Sequence, residues 1–203
     1  MYVDMHIKPY NYGELDRILR TAKRMGYVAG AVEGLNGKVI SDLTVLPRVT
    51  YRYSGKPLSP NESRKGCIIV YEICDPAMIK SLTNLRGRCH AIKIAGSVLS
   101  RLKRKYVGAL RSCGTPVEIS LKDIVVNNGV NYNTLRGLYK LLPYVERGDI
   151  ELLISSSAGD EFELVHPLEV ISMLRELGLS ELTSTKAISS LPSRIMRVLG
   201  NGV

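Results

Sequence analysis

Short apolar runs with alternating polarity recur along the chain, and stretches of 3.6-residue amphipathic period separate them. This pattern predicts strands at 2–7, 27–32, 49–53, 67–73, 90–95, 116–121 and 150–155. It predicts helices at 13–25, 76–84, 97–110, 134–145 and 167–177, and a last one that follows Pro192 and ends near Gly200. In the first helix Leu15, Ile18, Leu19 and Ala22 share one face, and Gly26 stops it. In 97–110 a buried stripe of Leu99, Leu102, Tyr106 and Leu110 is expected. The helix at 167–177 has proline in its first turn and Gly178 just past its end, the usual asymmetry. Strand–helix alternation argues for a parallel sheet with helical crossovers rather than a meander.

Seven or eight such units fit a small α/β fold, a TIM-barrel-like (β/α) barrel occupying residues 1–203 as a single domain. A doubly wound open sheet is the competitor. The chain has neither a Gly-x-Gly-x-x-Gly turn nor a Walker-type Gly-Lys-Ser/Thr, so nucleotide-binding versions of that sheet lose support. The one linker candidate, 54–66, reads as a basic loop carrying Lys56, Arg64 and Lys65.

The 45% hydrophobic content and the lack of low-complexity runs exclude intrinsic disorder. No stretch approaches the roughly 18 apolar residues of a membrane span. Nor does the N-terminus have the basic patch and apolar run of a secretory signal, so a soluble cytoplasmic protein without membrane partners is expected. Cys67, Cys74, Cys89 and Cys113 form no Cys-x-x-Cys pair, which argues against zinc or redox motifs and for reduced thiols.

Charge narrows the partner class. The net charge is +9, from 28 Lys+Arg against 19 Asp+Glu, and it is uneven. Residues 1–115 carry 20 basic and 8 acidic side chains (+12), and residues 116–203 carry 8 and 11 (−3). A one-sided positive field attracts polyanions, nucleic acid first among them. Phosphorylated metabolites, anionic membrane or a merely solvated surface satisfy the same arithmetic.

The first strand places Asp4, His6 and Lys8 on one face and Val3, Met5 and Ile7 on the other. In a barrel the former face points into the lumen, near the end where barrel enzymes hold their chemistry. An Asp-x-His-x-His run there would signal a metal site. Lys8 occupies the second histidine's place, however, and an ammonium repels a dication. Only His90 and His166 remain elsewhere, too few for a multinuclear centre. Lys8 could pair with Asp4 or attract a phosphate.

Arg101, Arg104 and Lys105 lie largely off the apolar stripe of the 97–110 helix, with Lys103 at its margin. Like charges at that spacing repel, which suggests an anionic partner. Arg86 and Arg88 flank Gly87 just before a strand, where guanidinium forks can bind phosphodiesters bidentately. Ser155, Ser156 and Ser157 end a buried strand without a Gly-x-Ser-x-Gly elbow, and are expected to cap a turn and satisfy rim backbone. Tyr51 and Tyr53 read as core or barrel wall.

Taken in order, these segments resemble protein component three of ribonuclease P, the archaeal relative of the eukaryotic thirty-kilodalton subunit. The resemblance starts at Tyr2-Val3-Asp4-Met5-His6 and continues through Pro116-Val117-Glu118-Ile119-Ser120-Leu121. Its most specific piece is Ile154-Ser155-Ser156-Ser157-Ala158, followed by Pro167-Leu168-Glu169 and Leu177-Gly178. The tail Lys186-Ala187-Ile188-Ser189 with Pro192 also matches. Ser157 stands where the family usually has glycine, and residues 34–66 match poorly.

The resemblance implies a barrel related to the polymerase-and-histidinol-phosphatase fold but lacking its metal site. It implies a ribonucleoprotein that removes the 5′ leader of precursor tRNA, in which the RNA uses magnesium and the chain supplies no catalytic residue and binds no cofactor itself. The implied partners are ribonuclease P RNA, precursor tRNA indirectly, and a smaller protein subunit, component two, in a two-plus-two heterotetramer. In this role the chain helps fold the RNA at low magnesium. The phosphate-binding candidates are Arg86, Arg88, Lys93, Arg101, Arg104 and Lys105, with Lys122 and Lys8 at the barrel mouth. The competing functions are a metal-dependent barrel phosphoesterase acting without RNA, and a structural protein–protein module.

Overall fold

A computed structural model describes residues 1–35, 42–57, 66–126 and 129–200. Arg64 and Lys65 of the expected basic loop lie outside the described residues. The elements run β1 (Tyr2–Ile7), α1 (Leu15–Arg24), β2 (Tyr27–Glu33), β3 (Thr44–Arg52), β4 (Ile68–Ile73), a 3-10 segment (Pro76–Leu85) and β5 (Ala91–Ile94). Then come α2 (Gly96–Leu99), α3 (Arg104–Cys113), β6 (Val117–Ser120), α4 (Leu121–Ile124), β7 (Val125–Val126), β8 (Gly129–Val130), α5 (Tyr132–Tyr139) and α6 (Leu142–Glu146). The chain ends with β9 (Leu152–Ser155), α7 (Pro167–Glu176), α8 (Glu181–Ile188) and α9 (Ser190–Gly200).

Seven strands share a sheet in the order β1-β2-β3-β4-β5-β6-β9, while β7 and β8 form a separate antiparallel ribbon. Spatial order thus equals chain order. The pairs β1·β2, β2·β3, β4·β5 and β5·β6 are parallel. The outer edge of β1 is taken by the chain that follows β9. Ile7 and Ala158 form a parallel bridge, the Ser157 N–H donates to His6 O at 2.8 Å, and the Lys8 N–H donates to Ala158 O at 2.8 Å. Parallel strands in sequential order, with helices or a 3-10 segment after β1, β4, β5 and β6 and the last strand's extension meeting the first strand, give the α/β, TIM-barrel-like class that the periodicity predicts.

Packing divides the chain into two compact units, one comprising Met1–Val49, Gly66–Ile68 and Leu153–Val203, the other Thr50–Lys65 and Ile69–Leu152. In the first, α1 buries the predicted face, Leu15, Ile18, Leu19 and Ala22, against Ile7, Tyr27, Val32, Ala158 and Leu164. The Tyr27 hydroxyl donates to Val165 O at 2.8 Å. Pro167 lies in the first turn of α7, which packs on α8, and α8 on α9.

In the second unit the 3-10 segment packs on α3, and the Cys113 thiol lies 2.9 Å from Leu82 O. Tyr71 meets the rings of Tyr51 and Tyr53 at 5.9 and 5.8 Å, so these aromatics are structural, as expected. The Tyr53 hydroxyl also contacts Gly55 O and Ser81 O, both at 2.9 Å. Among the described residues no helix is long and apolar enough to cross a membrane.

Several elements differ from the periodic reading, including the short α4, β7 and β8, which it lacks, and the helix expected at 76–84, which is a 3-10 segment. The helix expected at 97–110 breaks after α2, and Lys103 is extended (φ −96°, ψ 147°) before α3 starts. Leu99, Leu102 and Leu110 are buried as predicted, whereas Tyr106 is only half-buried and Val107 turns inward in its place. A continuous helix would stack Arg101, Lys103, Arg104 and Lys105 within two turns, and like-charge repulsion opposes that. The helix expected at 134–145 is split into α5 and α6, because Pro143 lacks the N–H that a continuous helix would donate to Tyr139 O, while it suits the first turn of a new helix. β3 starts at Thr44 rather than near 49, and α8 has no counterpart in the predicted elements.

Candidate nucleic-acid interface

The predicted phosphate-binding residues fall into three kinds of place. Arg86 caps the end of the 3-10 segment, and Arg88 follows the left-handed Gly87 (φ 68°); both are exposed. Arg101, Arg104 and Lys105 are exposed around the α2–α3 break, with the Lys105 ammonium 5.4 Å from the centroid of the Tyr106 ring. Lys8 is exposed past the end of β1, and Lys122 is half-buried in α4. Lys93 is different. It is 9% exposed on β5, 3.2 Å from Glu72 Oε1, and its register neighbours are Glu72 on β4 and Glu118 on β6. A protein carboxylate is its counter-ion.

The break before α3 creates a groove of about 610 Å³ lined by Leu102, Lys103, Arg104, Val107, Lys140, Pro143, Tyr144 and Arg147. Among the described residues no acidic side chain lines it, although one of its cations, Arg147, is paired with Asp149. The Lys140 ammonium donates to Leu102 O at 2.8 Å, which ties the α5–α6 corner to the loop before α3. The Arg147 guanidinium stacks 4.7 Å from the Tyr144 ring centroid and reaches Asp149 at 3.2 Å. At the N-terminus of α3 no side chain caps the helix and its first turn holds no acid. Cations there oppose the helix dipole, a local cost that a bound anion relieves. Sequence reasoning missed Lys140, Tyr144 and Arg147. Their spacing of i, i+4, i+7, cation–aromatic–cation along the sequence, was the available signal.

A second basic groove lies along α1, lined by Arg17, Arg20, Lys23, Arg24, Asp42 and Glu161. Here the protein supplies its own anions. Arg17 meets Glu161 at 2.7 Å, Arg20 meets Asp16 at 2.8 Å, and Lys23 meets Asp42 at 2.6 Å. Lys23 holds the Asp42 carboxyl below its ordinary range. Such exposed pairs add little stability. They nevertheless leave the α1 face less positive than its sequence suggests. The contrast favours the α3 groove as the anion-binding surface.

The buried polar residues of β1 form a structural network. Asp4 accepts from the backbone N–H of His6 at 3.0 Å and of Ser156 at 3.1 Å, and from the Ser156 hydroxyl at 2.5 Å. The Ser157 hydroxyl lies 2.7 Å from His6 Nδ1, and His6 Nε2 is 3.5 Å from Glu33, which also meets Arg48 at 3.3 Å. Arg48 is fully buried and donates to Met5 O at 2.5 Å. Ser156 also caps its turn by accepting from the Ala158 N–H at 2.9 Å. Ser157 is the one non-glycine residue with positive φ (55°) among the described residues. That left-handed backbone is what glycine adopts without strain.

Further around the strand ends, burial raises the Asp123 carboxyl, and burial beside Glu72 raises the Cys74 thiol. Burial also pushes the Cys89 thiol up to about 12, so neither cysteine is a ready thiolate. Among the described residues no group of three or more His, Cys, Asp or Glu side chains is placed to hold a metal ion.

No curated protein matches the sequence. In fold, the chain is similar to one in the cryo-EM structure of archaeal ribonuclease P with mature tRNA, with a TM-score of 0.72 and 14% identity over 97% of this chain and 91% of that one. It is also similar to an uncharacterized protein of known crystal structure, with a TM-score of 0.54 and 10% identity over 98% and 75% of the two chains. The profile of the RNase P subunit p30 matches residues 1–200. The chain therefore belongs to the RNase P subunit p30 family.

Proposed function

We propose that this chain is a protein subunit of ribonuclease P, and that it acts in tRNA processing by binding RNA phosphates rather than by performing chemistry. The observation that carries this reading is the family match along residues 1–200. The cations that line the α3 groove, with no acid among the described lining residues, support it. Arg86, Arg88, Arg101, Arg104 and Lys105 are exposed cations suited to phosphate oxygens, with Lys103 and Lys140 beside them. Lys8 and Lys122 complete the candidate set. Each cation brought against a phosphate releases condensed counter-ions and lowers the repulsion that opposes RNA folding, which reduces the magnesium the RNA requires. In this reading magnesium belongs to the RNA, and the chain works in the cytoplasm with a smaller protein subunit as a two-plus-two assembly.

The test is 5′-leader cleavage of a precursor tRNA at low magnesium. The protein alone, the RNA with its other subunits, and that mixture completed with this chain are compared. Activity gained only in the completed mixture supports the proposal. No gain in an otherwise competent mixture refutes it, and cleavage by the protein alone would move the chemistry to this chain. Mass measurement of the chain with its small partner checks the stoichiometry, and any assembly other than two-plus-two overturns that part.

A further inference from the structure

The α3 groove is more than a strip of charge. Beside the cations Lys103, Arg104, Lys140 and Arg147, its interior is lined by the apolar Leu102, Val107, Pro143 and the Tyr144 ring. A duplex backbone offers phosphates but no exposed base face, so it would leave that interior empty. An unpaired nucleotide presents both an anion and a flat apolar ring, and sequence-tolerant recognition of single strands joins the two in this way. The volume, about 610 Å³, falls within the range of small-ligand sites and leaves room for a nucleotide.

We propose that this groove receives an unpaired nucleotide of an RNA strand. Its phosphate meets Lys103, Arg104 and the uncapped N-terminus of α3, and its base stacks against Tyr144. The Arg147 guanidinium, 4.7 Å from the ring centroid, already forms a cation–π pair that a base extends. The bond from Lys140 to Leu102 O holds the two walls together. This rests on the RNA-binding reading above and adds the kind of RNA element recognised.

The experiment measures binding of the full chain to a labelled ten-nucleotide single-stranded oligoadenylate. A blunt A-form duplex with the same number of phosphates is the comparison, and both are titrated over a range of salt. The single strand is expected to bind at least several-fold more tightly. Tyr144→Ala should weaken it about tenfold at unchanged salt slope, whereas Tyr144→Phe should leave it intact. The double change Lys103→Ala with Arg104→Ala should flatten the salt slope by roughly two units.

Equal affinity for duplex and single strand, with Tyr144→Ala silent, overturns the nucleotide pocket and leaves phosphate binding standing. Absence of salt-dependent binding to either RNA overturns the pocket and the RNA-binding reading together. Circular dichroism of each variant separates loss of a contact from loss of fold. A contact-null variant that has unfolded is replaced by Pro143→Ala, which must then weaken the single strand selectively for the proposal to stand.

Discussion

Replacing Gly137 by alanine sets two effects of opposite sign against each other. Gly137 lies in α5, where alanine is intrinsically better than glycine by up to about 1 kcal/mol. A β-carbon at this position would lie 2.0 Å from the carbonyl oxygen of Leu99, 2.5 Å from its carbonyl carbon and 2.9 Å from its Cγ. Two of these three atoms belong to the backbone, so a rotamer change cannot relieve the clash. To restore ordinary contact, α2 and α5 must part by at least about 1 Å. Overpacking of a rigid contact costs about 1–3 kcal/mol, which exceeds the propensity gain.

Gly108 is the control. It is exposed in α3 and has no atom within 4 Å of an added β-carbon. Gly108→Ala should stabilise by about 0.5–1 kcal/mol. The assay is thermal and urea unfolding followed by circular dichroism. At about 2–4 °C per kcal/mol for a chain of this size, Gly108→Ala should raise Tm by about 1–4 °C, and Gly137→Ala should lower it by at least about 2 °C. If Gly137→Ala is as stable as the parent or more so, the close approach of α2 to α5 is wrong. The groove built on Leu102 and Lys140 would be undermined with it.

Asp4→Ala removes the acceptor for three hydrogen bonds and should destabilise the fold by roughly 3–5 kcal/mol in urea unfolding, while any folded fraction keeps its RNA salt slope. Arg104→Ala should flatten the salt slope of RNA binding by roughly one unit, whereas Arg17→Ala, which loses a residue already paired with Glu161, should change it far less; equal effects would remove the distinction between the two grooves. Burial holds His90 below its ordinary value, and its Nδ1 accepts the Ile69 N–H at 2.9 Å. The folded state therefore binds fewer protons at this residue than the unfolded one. Its stabilisation is complete above the ordinary value of 6.5 and fades as pH falls through the lower folded value. Unfolding midpoints compared at neutral and mildly acidic pH should show a smaller acid-side drop for His90→Gln than for the parent, and identical drops would refute the assignment.

The parts of this protein legible in its sequence are those set by nearest neighbours along the chain. Alternation marks β1, and the 3.6 period marks the buried face of α1 as Leu15, Ile18, Leu19 and Ala22. Proline and glycine bracket α7 at Pro167 and Gly178. The succession of strands and helices points to the α/β barrel class, and the charge count points to a polyanionic partner. The 97–110 stripe was right about Leu99, Leu102 and Leu110, but wrong about Tyr106 and about continuity: the break at Lys103 resets the helical phase so that Val107 turns inward, and periodicity is silent on like-charge repulsion across a turn. Tertiary structure alone decides which charges are spent within the protein. Arg17 finds Glu161 144 positions away, Asp4 finds Ser156 152 positions away, and Lys93 is sandwiched in register between Glu72 and Glu118. Lys103, Arg104 and Lys140 instead converge on a groove that no carboxylate lines among the described residues. A counter-ion is a neighbour in space, and in a fold built from parallel strands and crossovers spatial neighbours are distant in sequence. Net charge is therefore a property of the sequence, and its usable surface a property of the fold.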